Sequence, residues 1–208
     1  MRLILASASP RRAELLRVAG YTFDVLAADV EESILPAESP SAYVRRLAAE
    51  KSAAVQSHVV SGFSRTGALE GPPEGGHDIS DAIVLGADTT VVVDGAILGK
   101  PRDDEDGREM LRRLSGKTHQ VMTGVSLRQG AFEVGRVEST DVTFRTLTEE
   151  DIAWYAGSGE GRDKAGGYAI QGLASRFIPG ITGSYSNVVG LPISCVAELL
   201  RSLLASNL

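Results

Sequence analysis

The segment Val91-Val92-Val93-Asp94-Gly95-Ala96-Ile97-Leu98 constrains the fold most tightly. Asp-Gly between two apolar runs is the chemistry of a two-residue hairpin, because both turn positions need positive φ. Counting outward from the turn pairs Val93 with Ala96, Val91 with Leu98 and Thr89 with Lys100. Asp88 stands beside Thr89, so a carboxylate and an ammonium approach the mouth of one hairpin. In the ideal register Thr89 and Lys100 share a face and Asp88 points to the other. A bulge or a strand end near Gly99 is then needed to turn both charges toward one ligand. Taken alone, the pair reads either as an exposed ion pair on an edge hairpin or as the start of a site for a charged ligand.

Strands and helices alternate around this hairpin. Arg2 to Ala6 reads as a buried strand. Ser9 suits an N-cap, Pro10 a first helical position and Gly20 a stop for the helix between them. Thr22 to Leu26 reads as a second strand. A helix is expected from Ser39-Pro40 to about Gln56, with Tyr43, Val44, Leu47, Ala48, Lys51 and Val55 on one stripe. Ser57 to Asp81 lacks apolar periodicity and holds Gly71-Pro72-Pro73-Glu74-Gly75-Gly76. It reads as a long, mobile surface loop at about 57–81, inserted in one domain that spans 1–208. Ala82 to Ala87 is a buried strand leading into the hairpin, and a helix follows from Asp103 to Leu114. Lys117–Leu127 and Phe132–Phe144 alternate as two long strands. Thr148 caps a helix to Tyr155. Short strands are expected around Tyr168-Ala169-Ile170 and Arg176-Phe177-Ile178, and a terminal helix from Pro192 to Leu204. The pattern fits an α/β fold, a mixed sheet with helices on its faces.

At 208 residues the chain can bury a real core, and its net charge of −6 argues against a duplex-binding surface. No apolar run approaches the ~18 residues of a membrane span. The apolar run Leu3-Ile4-Leu5 is too short for a signal peptide. The single cysteine, Cys195, lies in an apolar helical run and reads as a core thiol of a reducing compartment. These features point to the cytoplasm.

Two placements resist a purely structural explanation. Arg11 and Arg12 lie in the first turn of a helix, where the dipole disfavours cations. Ordinary capping explains Ser9 and Pro10, but the free N–H groups of that turn, with Ser7 and Ser9, also read as an anion site, where a phosphate would account for the arginines. Lys51 lies on an apolar stripe and either snorkels or reaches into a charged cleft. Glu31-Glu32 taken alone read as a solvated loop; together with Asp88 they offer the hard oxygen ligands that Mg²⁺ and Mn²⁺ accept. His58, His77 and His119 form no metal constellation, and no triad motif is present. Gln171, beyond the glycines 166 and 167, offers both a donor and an acceptor, as reading a base edge requires.

Several blocks together resemble the Maf family of nucleotide pyrophosphatases. They are Ser7-Ala8-Ser9-Pro10-Arg11-Arg12, Gly86-Ala87-Asp88-Thr89, Gly99-Lys100-Pro101, Leu114-Ser115-Gly116-Lys117-Thr118-His119-Gln120-Val121, Asp163-Lys164-Ala165-Gly166-Gly167-Tyr168-Ala169-Ile170-Gln171-Gly172 and Gly183-Ser184-Tyr185-Ser186-Asn187-Val188-Val189-Gly190-Leu191-Pro192. They occur in family order across nearly the whole chain, and 57–81 departs from the compact family pattern.

The resemblance implies hydrolysis of a nucleoside triphosphate between its α- and β-phosphates. It implies Asp88 as proton acceptor, with Lys51 and Lys100 as catalytic partners and Ser7 and Arg12 as substrate-binding residues. Glu32 and Asp88 would hold a divalent cation, Mg²⁺ or Mn²⁺. Arg11, Thr89 and Gln171 match the recognition set associated with dTTP and UTP. The implied fold is a mixed twisted sheet with flanking helices, two lobes around a central cleft, similar to the inosine triphosphate pyrophosphatases, in a homodimer. The alternatives are a house-cleaning purine triphosphate pyrophosphatase and a nucleotide-binding regulator of septum formation.

Overall fold

A computed structural model describes residues 2–65 and 82–205. The hairpin forms as the turn chemistry requires. Asp94 and Gly95 take φ of 51° and 76°, and Val93 pairs with Ala96 and Val91 with Leu98. Its strands are β3 (Ile83–Val93) and β4 (Ala96–Leu98). Before them come β1 (Leu3–Leu5), α1 (Pro10–Val18), β2 (Asp24–Val25) and α2 (Pro40–Arg65). After them come α3 (Asp104–Leu114), β5 (Thr118–Gln129), β6 (Phe132–Thr143) and α4 (Glu149–Ser158). Two 3₁₀ turns (Ala165–Gly167 and Leu173–Phe177), β7 (Gly180–Thr182), α5 (Tyr185–Val189) and α6 (Ile193–Ala205) complete it.

The strands build one mixed sheet in the order β2-β1-β3-β5-β6-β7, with β4 added to β3. β1 is parallel to both neighbours, while β5 and β6 run antiparallel. β3 and β5 are long enough to serve two cores. Leu3, Leu5, Leu16, Leu85, Leu127 and Leu199 close one lobe under α1 and α6. Val91, Leu98, Leu114, Phe144, Tyr155 and Phe177 close the other under α3 and α4. Burying a side chain of this size contributes about 1.5–3 kcal/mol, so each lobe holds its own end of the sheet.

The cleft arises from incomplete pairing along one edge of β3. β1 pairs with Leu3–Leu5 opposite Ile83–Leu85, and β4 pairs opposite Val91–Val93. Between them, residues 86–90 of β3 have no strand partner on that edge among the described residues. Side chains from both faces of β3 therefore border one gap. The expected pairing of Thr89 with Lys100 does not form, because β4 ends at Leu98; that strand end, and no bulge, is what opens the mouth.

Helix α2 crosses the sheet closely because two glycines let it. A Cβ on Gly86 would stand 2.7 Å from the Ser52 amide nitrogen and closer still to the Ala48 carbonyl oxygen. One on Gly124 would stand 2.9 Å from the Arg45 nitrogen and closer still to the Val44 carbonyl. Gly86 pairs with Ser126 and Asp88 with Gly124, so all four share the face beneath α2. Ser52 and Ser126 join their hydroxyls across this contact at 2.8 Å.

Three sequence expectations need correction. Helix α2 runs on to Arg65 and does not stop near Gln56, so 57–65 are helical; the remainder of the expected mobile loop, 66–81, lies outside the described residues, as does His77. The expected strands at 168–170 and 176–178 are absent. That segment forms turns and a 3₁₀ helix, and the nearby strand is β7. Tyr168, Ile170 and Phe177 are buried as a strand pattern suggests, but the nearby Ala169 and Leu173 amides donate to the side chains of Tyr155 and Glu160, and the Phe177 carbonyl accepts from the Arg145 amide. Cys195 is a core thiol, as expected, and burial pushes its pKa up to about 11. No helix among the described residues is long and apolar enough to cross a membrane.

Candidate active site

The gap on β3 opens into a cleft of about 750 Å³. Ser7, Arg11, Arg12, Glu32, Lys51, Asp88, Thr89, Lys100 and Gln171 all line it. Glu31 does not.

Lys51 reaches the cleft because α2 is seated on Gly86 and Gly124. Val44, Leu47, Ala48 and Val55 of its stripe are buried, and the lysine does not snorkel outward: only 7% of it is exposed. Its Nζ donates to Asp88 Oδ1 and to Glu32 Oε1, each at 2.6 Å. Burial alone would raise the Glu32 carboxyl, but the hydrogen bond and charge of Lys51, with Lys100 and Arg12, hold it below its ordinary value. Among the described residues no group of three or more His, Cys, Asp or Glu side chains could hold a metal ion. The donor set is thus two carboxylates converging on one ammonium, which fits a cation that draws its other ligands from phosphate and water.

Arg12 explains much of the remaining geometry. Its Nε donates to the Gly190 carbonyl at 2.8 Å, and its Nη1 donates to the Ala87 carbonyl at 2.8 Å and to Ser7 Oγ at 3.1 Å. Its Nη2 donates to Thr89 Oγ1 at 3.1 Å. The Ala87 carbonyl lies on the unpaired edge of β3, so the guanidinium satisfies an edge that strand pairing leaves open. One cation thereby ties the first loop, β3 and the segment between α5 and α6 together. Burial pulls its pKa down and Asp88 opposes that. Ser7 accepts from Arg12 and from the Ser9 amide, and keeps its own O–H as a donor.

The arginine pair of α1 therefore has partners within the chain. Ser9 caps the helix as expected, accepting from the Arg12 amide. Arg11 pairs with Asp163 at 3.3 Å, and Arg12 is committed to the contacts above. A bound phosphate is not required to explain either residue. Thr89 faces away from Asp88, toward Thr123 at 3.0 Å, yet both border the gap.

Sequence reasoning missed Tyr43, Asp163, Lys164 and Gly190 as parts of the site. Tyr43, read as a core position, lines the cleft, and its hydroxyl donates to the Glu32 backbone carbonyl at 3.0 Å. Burial and the charges of Asp88 and Glu32 push that hydroxyl up to about 12. Nothing in the helical spacing separates a half-buried Tyr43 from a core one. Asp163, Lys164 and Gly190 do sit inside the motif blocks, which was the available signal.

A cleft with an ammonium and a guanidinium at its base, Lys100 at its rim and a pair of carboxylates beneath is suited to a polyanion that is to be hydrolysed. The chain belongs to the Maf-like protein family, whose model matches residues 2–203. A relative from Anaeromyxobacter dehalogenans (strain 2CP-C), named dTTP/UTP pyrophosphatase, is 47% identical over 204 residues, spanning 96% of this chain and 93% of its own. One from Escherichia coli O157:H7 with the same name is 48% identical over 200 residues, spanning 96% and 92%. Among solved structures, the Staphylococcus aureus Ham1 protein matches all of both chains at 12% identity with a TM-score of 0.45.

Proposed function

We propose that the chain is a nucleoside triphosphate pyrophosphatase that hydrolyses dTTP and UTP between the α- and β-phosphates, releasing the monophosphate and pyrophosphate. The observation that carries this reading is the buried Lys51 ammonium held between Glu32 and Asp88 on the cleft floor. The names of the relatives support the substrate pair.

Without substrate, Lys51 is the counter-ion of both carboxylates. A triphosphate brings its own oxygens to that ammonium, to Lys100 and to the Ser7 hydroxyl, and Arg12 holds the surrounding loops at fixed spacing. Asp88 Oδ1 is committed to Lys51, which leaves Oδ2 to accept a proton from the attacking water. Glu32 and Asp88 would also hold a divalent cation such as Mg²⁺ or Mn²⁺, which when bound neutralises charge on phosphate oxygens. Arg11, Thr89 and Gln171 select the base. The resemblance further implies a homodimer, which light scattering of the purified chain tests, and a cytoplasmic location, which cell fractionation tests.

Pyrophosphate release from a panel of nucleoside triphosphates, with Mg²⁺ or Mn²⁺, tests the whole reading. UTP and dTTP should run well ahead of CTP, ATP and GTP. A preference for ITP would make the chain a purine house-cleaning enzyme, and tight binding without turnover would make it a nucleotide-binding regulator.

A further inference from the structure

Gln171 sits on a turn closed by the Gly172 amide, which donates to the Ala169 carbonyl at 3.1 Å. The side chain is exposed in the cleft, and its amide makes no hydrogen bond among the described residues. Two side chains hold the backbone on both sides of it. Tyr155, on α4, accepts from the Ala169 amide at 3.0 Å and donates to Glu160 Oε2 at 2.9 Å. Glu160, just beyond the end of α4, accepts from the Leu173 amide with both carboxylate oxygens, at 3.0 Å each. The two legs of the turn, two residues before and two after Gln171, thus end on one hydrogen-bonded pair.

Three further observations make this pair a device and not a chance contact. Tyr155 is 1% exposed and belongs to the core of its lobe, so its hydroxyl is a rigid reference point. A Cβ on Gly172 would lie 2.7 Å from Glu160 Oε2, so the turn is shaped to admit the carboxylate. The Glu160 backbone carbonyl accepts from Lys164 Nζ at 2.7 Å, Lys164 pairs with Asp163 at 2.5 Å, and Asp163 pairs with Arg11. Two of the proposed base selectors, Gln171 and Arg11, are therefore referenced to the same residue. Burial raises the Tyr155 hydroxyl pKa, which keeps its proton on the oxygen for Glu160.

We propose that Tyr155 and Glu160 are positioning residues for base selection: they clasp both legs of the 169–173 turn and aim the Gln171 amide at the edge of a pyrimidine. The proposal rests on Gln171 reading the base. A site built to hydrogen-bond one base edge loses discrimination when its donor and acceptor are displaced, because the mismatched base is then no worse than the matched one. The clasp acts on recognition and leaves Lys51, Asp88 and Lys100 untouched.

The test compares Tyr155→Phe and Glu160→Gln, both near-isosteric, with Gln171→Ala and with each double variant, on UTP, dTTP and CTP. Thermal melts establish that every variant is folded at the assay temperature. Tyr155→Phe and Glu160→Gln should each lower kcat/KM for UTP about tenfold, the size of one displaced hydrogen bond, and chiefly through KM. CTP should change far less, so the UTP-to-CTP ratio shrinks. In the Gln171→Ala background the same substitutions should add less than about twofold, since coupled residues are not additive. Equal losses on all three nucleotides, or full additivity with Gln171→Ala, would reduce the clasp to a stabilising contact and overturn the proposal. If Gln171→Ala itself leaves the ratio unchanged, base reading by Gln171 fails and the clasp falls with it. If Gln171→Ala collapses the ratio and the clasp variants do not, only the clasp is wrong.

Discussion

Gly86→Ala should disable the site from beneath without touching a catalytic group. The new Cβ would meet the Ser52 amide nitrogen at 2.7 Å and the Ala48 carbonyl closer still, whereas ordinary contact begins near 3.4 Å. Both neighbours are helix backbone, which cannot rotate away, so α2 has to lift by roughly 1 Å, and overpacking of this kind costs about 1–3 kcal/mol. Lys51 rides on that helix. Lifting it stretches the 2.6 Å bond from Lys51 Nζ to Asp88 Oδ1 beyond hydrogen-bond length.

Misplacing a catalytic group by about 1 Å can lower the rate by ~10²-fold, and at this chain length each kcal/mol moves Tm by about 2–4 °C. The variant should therefore melt several degrees lower and lose roughly a hundredfold in kcat for UTP. Pyrophosphate release at saturating UTP, well below the variant's Tm, separates the two effects. Gly157→Ala is the control, because Gly157 lies in α4 with nothing within 4 Å of a new Cβ. It should leave kcat unchanged and stabilise by about 0.4–1 kcal/mol. A Gly86→Ala protein with wild-type kcat would show that Lys51 is not placed by the seat of α2, whatever happens to Tm.

Asp88→Asn should still bind nucleotide yet turn over ~10²–10⁴-fold more slowly, the range for a lost general base; near-normal turnover removes Asp88 from the mechanism. His119 is buried against Phe144 and Tyr168, and burial pulls its pKa from 6.5 down to about 4. Between those values the unfolded chain takes up a proton that the folded chain refuses, so stability falls as pH falls, by about 3 kcal/mol in order of magnitude across the window. Urea melts from pH 7 to pH 4 should show this slope and should show it flattened in His119→Phe; identical slopes in the two proteins would mean that His119 is not held neutral. Gly166→Ala should also destabilise, because Gly166 takes φ of 71° and its Cβ would press on Val91 at 2.8 Å; an unchanged Tm would contradict the close approach of that turn to β3.

Local chemistry made much of this legible in the residues themselves. Asp94-Gly95 dictates its turn, and Ser9 and Thr148 cap the helices they precede. These features depend on neighbours a few positions apart, where propensity and hydrogen-bond geometry act directly. The rest depends on contacts between distant segments. Alternation correctly sends Asp88 and Thr89 to opposite faces of β3, and only the unpaired edge between β1 and β4 lets one cleft use both. The arginines of α1 look unbalanced until Asp163, Ala87 and Gly190 are brought to them. Tyr168, Ile170 and Phe177 mimic strand periodicity, but the Ala169 and Leu173 amides near them donate to Tyr155 and Glu160, and the Phe177 carbonyl accepts from Arg145. Burial pattern reports that a residue is inside; it does not report which distant group satisfies its backbone, and that choice is made only when the lobes close.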